Sequence, residues 1–191
     1  MKDLYGKLAV EKDYPINENI QQIAKDIRDI IHGDFVQKRD TYVFRKRVDI
    51  DKKKTIDILL ANTAAGIRSF GILQTLIKNY CVTPQGFFIF DEPENHLHPT
   101  WQVKFAEILA RLVQNHVCIM VNTHSPFMLE ALYKYGKTYE INTNFYLAVG
   151  GKVEQIDNDN SATLEKIYKK LNQSLISLDE ILDEEEDEDN G

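Results

Sequence analysis

Four consecutive apolar residues followed by two carboxylates constrain the fold of this chain more than any other feature. Phe87 to Phe90 run without a polar residue into Asp91 and Glu92. An unbroken apolar run of this length predicts a strand buried on both faces, as in the middle of a parallel sheet. Ionisable side chains at its carboxyl end then lie where open α/β sheets bind ligands. One carboxylate there can hold Mg²⁺ through its water shell, and the next can orient a water that attacks a phosphate.

A second apolar run, Val117–Val121, ends in a polar loop that contains a histidine, Thr123-His124-Ser125-Pro126. Residues 100–115 lie between the two runs, and their apolar side chains recur at helical spacing. A strand–helix–strand order predicts two parallel strands whose carboxyl ends meet at one edge of the sheet. We therefore expect His124 to lie close to Glu92, within reach of the same phosphate.

These two motifs resemble the Walker B strand and the switch-histidine loop of ABC-type, AAA-like P-loop ATPases, the relatives of overcoming-lysogenization-defect, RecF and SMC ATPase heads. The resemblance covers roughly residues 16–178. It implies an α/β, P-loop NTPase-like fold, in which helices flank a parallel sheet and a short hairpin lies near the N-terminus. It also implies ATP and Mg²⁺ as cofactors. In this family, the matching residues are expected to act as follows: Asp91 positions Mg²⁺, Glu92 polarises the attacking water, His124 contacts the γ-phosphate, and Asn95 to His98 face a second protomer.

A loop of small residues before a predicted helix provides a third match. The strand Thr55–Leu60 passes through Asn62, Thr63, Ala64, Ala65 and Gly66 into an apolar-striped helix. Free N–H groups and the positive end of the helix dipole favour an anion there, and Gly66 permits close approach. By the resemblance, this loop is the signature motif that contacts the ATP of the opposite protomer, so a head-to-tail homodimer is expected. The family has serine where Ala65 stands, which leaves Asn62 or Thr63 to supply the polar group.

The sequence contains no Gly-x-x-x-x-Gly-Lys-Ser/Thr motif, the phosphate-binding P-loop (Walker A). Gly136-Lys137-Thr138 imitates the end of that motif, but Ala131 stands at the position of its first glycine. We therefore expect the C-terminal half of an ATPase domain, either a truncation or one part of a split protein, without the P-loop-bearing N-terminal portion. As an isolated chain it is predicted to be inactive.

Two other functions fit the same residues. The first is a non-catalytic interaction module that pairs with a P-loop-bearing chain and supplies only signature and dimer contacts. The second is a metal-dependent hydrolase, because His-x-His on a loop can bind zinc or manganese. Its ligands would come from one set of acidic and histidine residues: Asp91, Glu94, His96, His98 and His124.

The N-terminal third is predicted to form a helix over Asn17–His32, stopped by Gly33, and then a hairpin of Phe35–Gln37 and Thr41–Arg45. Its basic side chains form either a solvated face or a contact to the phosphate backbone of nucleic acid. They are Lys38, Arg39, Arg45, Lys46, Arg47, Lys52, Lys53 and Lys54.

The C-terminal region is predicted to contain two helices, a hairpin and an acidic tail. Helices are predicted at 127–135 and 162–172, with a hairpin around Gly150-Gly151 between them. Residues 171–191 contain nine acidic and no basic residues, which leaves 21 acidic and 23 basic residues elsewhere. Residues 1–178 are therefore predicted to be the domain and 179–191 a disordered acidic tail.

No apolar run is long enough to span a membrane, so a cytoplasmic protein is expected, with Cys81 and Cys118 as reduced packing residues.

Overall fold

The computed structural model describes residues 17–39, 41–49, 54–84, 86–155 and 161–172. The predicted tail, Lys52 and Lys53 lie outside these ranges. The helices are α1 (Glu18–Ile31), α2 (Ala65–Lys78), α3 (Pro99–Gln114), α4 (Pro126–Thr138) and α5 (161–172). The strands are β1 (Gly33–Lys38), β2 (Thr41–Asp49), β3 (Lys54–Leu59), β4 (Phe87–Asp91), β5 (Cys118–Asn122), β6 (Leu147–Val149) and β7 (Lys152–Glu154).

The predicted N-terminal helix is confirmed, but its stop signal is not the expected glycine. Asn17 caps α1, and the helix ends at His32 in the left-handed conformation, with φ 53°. Gly33 instead begins β1, where an added Cβ would lie 2.5 Å from the carbonyl oxygen of Arg45 and 2.6 Å from the ring of Phe44. Gly33 is thus required for close approach of β1 to β2, not for the helix end.

Strands β1, β2 and β3 form an antiparallel sheet in that order, which confirms the predicted hairpin. Phe35 and Phe44 pair across β1 and β2, and both rings are buried in the main core. An added Cβ on Gly71 of α2 would lie 2.0 Å from the Phe35 ring, so this glycine lets α2 rest directly on the sheet. The fully buried Gln74 then joins the elements, accepting from the Phe35 N–H at 3.2 Å and donating to the Ala24 carbonyl at 3.3 Å.

The predicted strand–helix–strand unit is confirmed. β4 pairs in parallel with β5, with Phe87 opposite Cys118 and Asp91 opposite Asn122. α3 connects the two strands and packs on one face of this pair, with the Phe105 ring 5.9 Å from Phe90 and 5.0 Å from Phe70 of α2. The parallel register places the last residues of both strands at the same edge.

The other face of this parallel pair corrects the expectation that β4 is buried on both sides. Phe87 is 61% exposed, Ile89 64% and Met120 55%, and Cys118 is also exposed. Residues alternate between faces along a strand, so only Phe88, Phe90, Ile119 and Val121 turn toward the helices. Among the described residues nothing covers the opposite face, and Cys118 is therefore not a packing residue.

The C-terminal elements form a smaller cluster. β6 and β7 pair as the predicted hairpin, with Gly150 and Gly151 at φ 57° and 75° in its turn. α4 and α5 pack together through Leu129, Phe145, Leu164 and Ile167. The segment Gly136-Lys137-Thr138 is the last turn of α4, so it is not a phosphate-binding loop. None of the helices within the described ranges is long and apolar enough to cross a bilayer.

Candidate active site at the end of the parallel sheet

Asp91 and Asn122 mark the shared edge where β4 and β5 end. The side-chain amide of Asn122 donates to Asp91 Oδ1 over 2.7 Å. No other described residue donates to the exposed Asp91 carboxylate, so Oδ2 is available to a ligand. An exposed carboxylate with one free oxygen suits Mg²⁺, which keeps several of its waters when a protein binds it. Asp91 therefore fits the magnesium role implied by the resemblance.

The residues after β4 form a tight turn, residues 92–98, which we call the acidic turn. Glu92 and His96 both adopt the left-handed conformation, with φ 45° and 65°. The Glu92 N–H donates to the Asn122 carbonyl at 2.8 Å, and the Leu97 N–H donates to the Glu94 carbonyl at 2.8 Å. Left-handed backbone is uncommon outside glycine, and at these two residues it turns the chain sharply as it leaves β4.

His124 lies beside Glu92, as predicted. The distance from His124 Nδ1 to Glu92 Oε1 is 3.3 Å, and Asn95 donates to the other Glu92 oxygen at 2.9 Å. The side chains of Glu92 and His124 are 44% and 65% exposed, respectively. The Glu92 carboxylate and the His124 imidazole therefore face solvent together at the sheet edge where β4 ends.

Glu94 is the residue at this edge to which the sequence assigned no definite role. Its side chain is only 4% exposed. Glu94 Oε1 accepts from the Thr123 hydroxyl at 2.6 Å and from the His124 backbone N–H at 3.0 Å. Glu92 and Glu94 are the same residue type two positions apart, so no local signal in the sequence distinguishes the buried carboxylate from the exposed one.

The small-residue loop before α2 packs against the acidic turn. An added Cβ on Gly66 would lie 2.9 Å from Leu97 Cδ2 and 3.2 Å from the His96 carbonyl oxygen. Gly66 therefore brings the start of α2 close to the turn within one chain. Ala64 provides no side-chain cap, and the Arg68 N–H bonds to its carbonyl in the first turn.

The two residues proposed to replace the missing signature serine differ in availability. Thr63 is buried, and its hydroxyl donates to the Leu59 carbonyl at 3.1 Å. Asn62 is exposed at the end of a short 3₁₀ turn. Asn62 is therefore the better placed of the two to offer a polar group to a ligand.

The alternative metal site receives no support from the described residues, in which no group of three histidine, cysteine or acidic side chains is arranged to hold a metal ion. His98 instead caps α3, with its Nδ1 accepting from the Thr100 N–H at 3.3 Å.

The basic side chains of the hairpin are partly neutralised. Asp57 pairs with Arg45 at 2.8 Å and Lys38 at 3.2 Å, and Arg47 pairs with Asp29 at 2.8 Å. Hydrogen bonds from Arg45 and Lys38 lower the pKa of Asp57 to about 2. Three of the six cations that the structure describes therefore have acidic partners, which reduces the charge available to a nucleic-acid backbone.

A search of curated protein sequences gave no match. Among solved structures, one is from work on ATP-driven dimerisation and DNA-stimulated activation of SMC ATPases. It has 14% identity and TM-score 0.49, and the match covers 80% of this chain and 92% of the other. The SMC head domain of Thermotoga maritima has 17% identity and TM-score 0.42, with 74% and 48% covered. The Smc head of Pyrococcus furiosus, bound to the C-terminal domain of ScpA, has 15% identity and TM-score 0.47, with 80% and 38% covered. This chain thus spans less than half of the last two.

A family model shows what kind of domain this is. The model of the AAA ATPase domain matches residues 1–129. The matched range contains the small-residue loop, β4, the acidic turn, β5 and His124. By this match, the chain belongs to the AAA ATPase domain family.

Proposed function

We propose that this chain supplies the hydrolytic half of an ATP-hydrolysing domain, with residues 1–178 as the domain portion and 179–191 as an acidic tail. The observation that carries the proposal is the 3.3 Å separation of His124 Nδ1 and Glu92 Oε1. Asp91 lies next to this pair at the end of β4. Hydrolysis of a phosphoanhydride needs mainly positioning and charge stabilisation, and these three side chains can supply both.

The three residues have distinct proposed roles. Asp91 holds Mg²⁺, which when bound neutralises charge on the phosphate oxygens. Glu92 orients the attacking water and accepts its proton. His124 donates a hydrogen bond to the terminal phosphate, and Asn95 holds the Glu92 carboxylate in position through its 2.9 Å bond.

The P-loop-bearing portion is proposed to pack on the exposed face of β4 and β5. That face presents four apolar or weakly polar side chains, Phe87, Ile89, Cys118 and Met120. Exposed apolar surface of this kind marks an interaction site. The occupant would cover this face and bring the glycine-rich phosphate cradle that the sequence lacks, from a longer chain or a partner chain.

A second copy is proposed to share the nucleotide through the small-residue loop. Asn62 and Ala64 are exposed, and the start of α2 directs its backbone N–H groups away from the helix. Because Gly66 packs on Leu97, the two proposed partner-facing segments, the small-residue loop and residues 95–98, are adjacent on one chain. A contact of the basic hairpin to nucleic acid and a cytoplasmic location both stay predictions.

Replacing Glu92 distinguishes hydrolysis from a purely structural role. The test requires an ATP-competent assembly, meaning this sequence joined to or paired with its P-loop-bearing portion. Glu92→Gln is expected to bind ATP normally but to lower kcat by at least about 100-fold, since the amide cannot accept the proton of water. Glu107→Gln, in the middle of α3, is the matched control and should keep full turnover. A loss of less than about tenfold would favour the non-catalytic interaction module.

A further inference from the structure

We propose that Glu94 is a positioning residue whose buried carboxylate fixes the histidine loop, residues 123–125, against the acidic turn. Its contribution to turnover rests on the proposed ATPase function, whereas its contribution to loop geometry does not. Glu94 does not face solvent as Glu92 does, and only 4% of its surface is exposed. It therefore acts through the loop that carries His124.

The contacts of Glu94 converge on one carboxylate oxygen. Oε1 accepts from the Thr123 hydroxyl at 2.6 Å and the His124 N–H at 3.0 Å, and it lies 3.7 Å from His124 Nδ1. Bonds to a charged acceptor are shorter and stronger than neutral ones, and burial strengthens them further. One oxygen thus determines both the backbone position and the side-chain surroundings of His124.

The hydrogen bonds continue from this oxygen and return to the acidic turn. Thr123 Oγ1 accepts from the Ser125 N–H at 3.1 Å, and the Ser125 hydroxyl donates to Gln102 Oε1 at 2.5 Å. Gln102 then donates to the Leu97 carbonyl at 3.0 Å, and the Leu97 N–H donates to the Glu94 carbonyl at 2.8 Å. The result is a closed ring of bonds joining the histidine loop, the start of α3 and the acidic turn.

The exposed contact between Glu92 and His124 cannot hold this geometry by itself. Both side chains face water, where a contact between two exposed polar groups contributes little to holding the backbone in place. The bonds of Glu94 are buried, and the one from the His124 N–H restricts the backbone directly. Glu92 and His124 can therefore remain free to engage a ligand while Glu94 keeps them together.

The first experiment needs neither ATP nor a partner. Amide hydrogen exchange and the NMR signals of the His124 imidazole are measured in the 191-residue chain with Glu94→Ala, Glu94→Gln and Thr123→Val. Glu94→Ala should speed exchange at residues 123–125 by about tenfold or more, because local opening loses its buried acceptor. Glu94→Gln keeps a carbonyl acceptor and should restore most of the protection. Glu107→Ala, which removes a carboxylate that accepts from Tyr139 at 3.3 Å, is the control and should leave the loop unchanged.

The second experiment measures turnover in the ATP-competent assembly. Glu94→Ala should lower kcat by roughly 100-fold, as expected for a small misplacement of a reacting group, with KM for ATP changed by less than about threefold. Glu94→Gln should recover kcat to within about tenfold of wild type. Combining Glu94→Ala with Thr123→Val should cost less than the sum of the two single losses, since both remove the bond between Thr123 and Glu94.

The possible results separate this proposal from the proposed function. If Glu94→Ala and Thr123→Val leave loop exchange unchanged, or if Glu94→Gln is as impaired as Glu94→Ala, the positioning role is wrong. If loop exchange responds as expected but wild-type assemblies never hydrolyse ATP, the positioning role stands and the ATPase proposal fails. If Glu94→Ala does not fold, Glu94→Gln and Thr123→Val decide the question.

Discussion

His124 Nδ1 lies 3.3 Å from Glu92 Oε1, although helix α3 and strand β5 separate the two residues in the chain. The parallel register, with Asp91 opposite Asn122, places the loops after β4 and β5 side by side. The chain thereby brings the side chains of Asp91, Glu92 and His124 to one edge of the sheet.

Glu92→Gly is expected to remove activity without unfolding the protein. Glu92 has φ 45°, a conformation that costs an ordinary residue about 1–2 kcal/mol and glycine almost nothing. Glycine loses about 0.5–1 kcal/mol through its greater freedom in the unfolded chain, so the free energy of unfolding should stay within about 1 kcal/mol of wild type. Lys104→Gly, exposed in the middle of α3, should cost about 1 kcal/mol. Urea denaturation measures the free energy of unfolding of both variants. If Glu92→Gly lost more stability than the glycine variant in α3, the left-handed conformation of Glu92 would not favour glycine as expected.

Ala64→Arg is expected to block ATP-dependent dimerisation. Ala64 is exposed at the start of α2, so a long cationic side chain can be accommodated in the monomer while obstructing the surface proposed to meet the partner's nucleotide. Gly66 is unsuitable for this test, because even a Cβ there would lie 2.9 Å from Leu97 and disturb the acidic turn.

Light scattering measures whether ATP still doubles the mass of the Ala64→Arg variant. The measurement uses an ATP-competent assembly that also carries Glu92→Gln. Gln114→Arg, exposed at the far end of α3, makes the same charge change and should leave the dimer intact. Equal dimerisation of both variants would rule out the small-residue loop as the contact.

The isolated 191-residue chain is expected to bind Mg-ATP no more tightly than about millimolar. Hydrogen bonds to charged groups contribute about 1.5–3 kcal/mol each. Losing even two P-loop contacts therefore costs about 4 kcal/mol, which turns a micromolar site into a millimolar one. Titration calorimetry measures this directly, and a micromolar dissociation constant would show that another segment binds the phosphates.

Cys118 provides a direct probe of the face that the P-loop-bearing portion is proposed to cover. Its thiol is exposed on β5, and it pairs in register with the exposed Phe87. With Cys81 replaced by serine, thiol reagents should modify Cys118 readily in this chain and at least about tenfold more slowly in the ATP-competent assembly, since only exposed thiols react well. Equal rates in both would place the occupant elsewhere.

Acid sensitivity should depend on Asp57. Its pKa is lowered from an ordinary 3.8 to about 2 by hydrogen bonds from Arg45 and Lys38. A carboxyl group whose pKa is lowered in the folded state stabilises the fold at pH values above its ordinary pKa. That contribution is lost as the pH falls toward about 2. Between these values, the thermal midpoint of Asp57→Asn should fall less steeply with pH than that of wild type.

Arg45→Gln tests the cause of this pH dependence, because it removes the first of the two donors while leaving the carboxyl group. This substitution should also make the thermal midpoint fall less steeply as the pH is lowered from the ordinary pKa of Asp57 to about 2. Parallel curves for wild type and Asp57→Asn would show that Asp57 contributes nothing to the acid sensitivity.

Local patterns in the sequence were sufficient for the scaffold of this site. Apolar spacing predicted α1, α3 and the two apolar strands, and chain order predicted that β4 and β5 are parallel and that His124 approaches Glu92. These features follow from periodicity and connectivity, which a sequence displays directly.

Tertiary packing decided the environments of individual side chains. Glu92 and Glu94 differ only by two positions, yet one is 44% exposed and the other 4%, because Glu94 lies under the loop of Thr123 and His124, which both donate to it. Phe87 and Ile89 follow the most apolar pattern in the chain, yet they are exposed because the helices cover only one face of β4. Burial and pairing depend on residues distant in sequence, so only the tertiary structure shows that Glu94 holds the histidine loop and that β4 presents an open face.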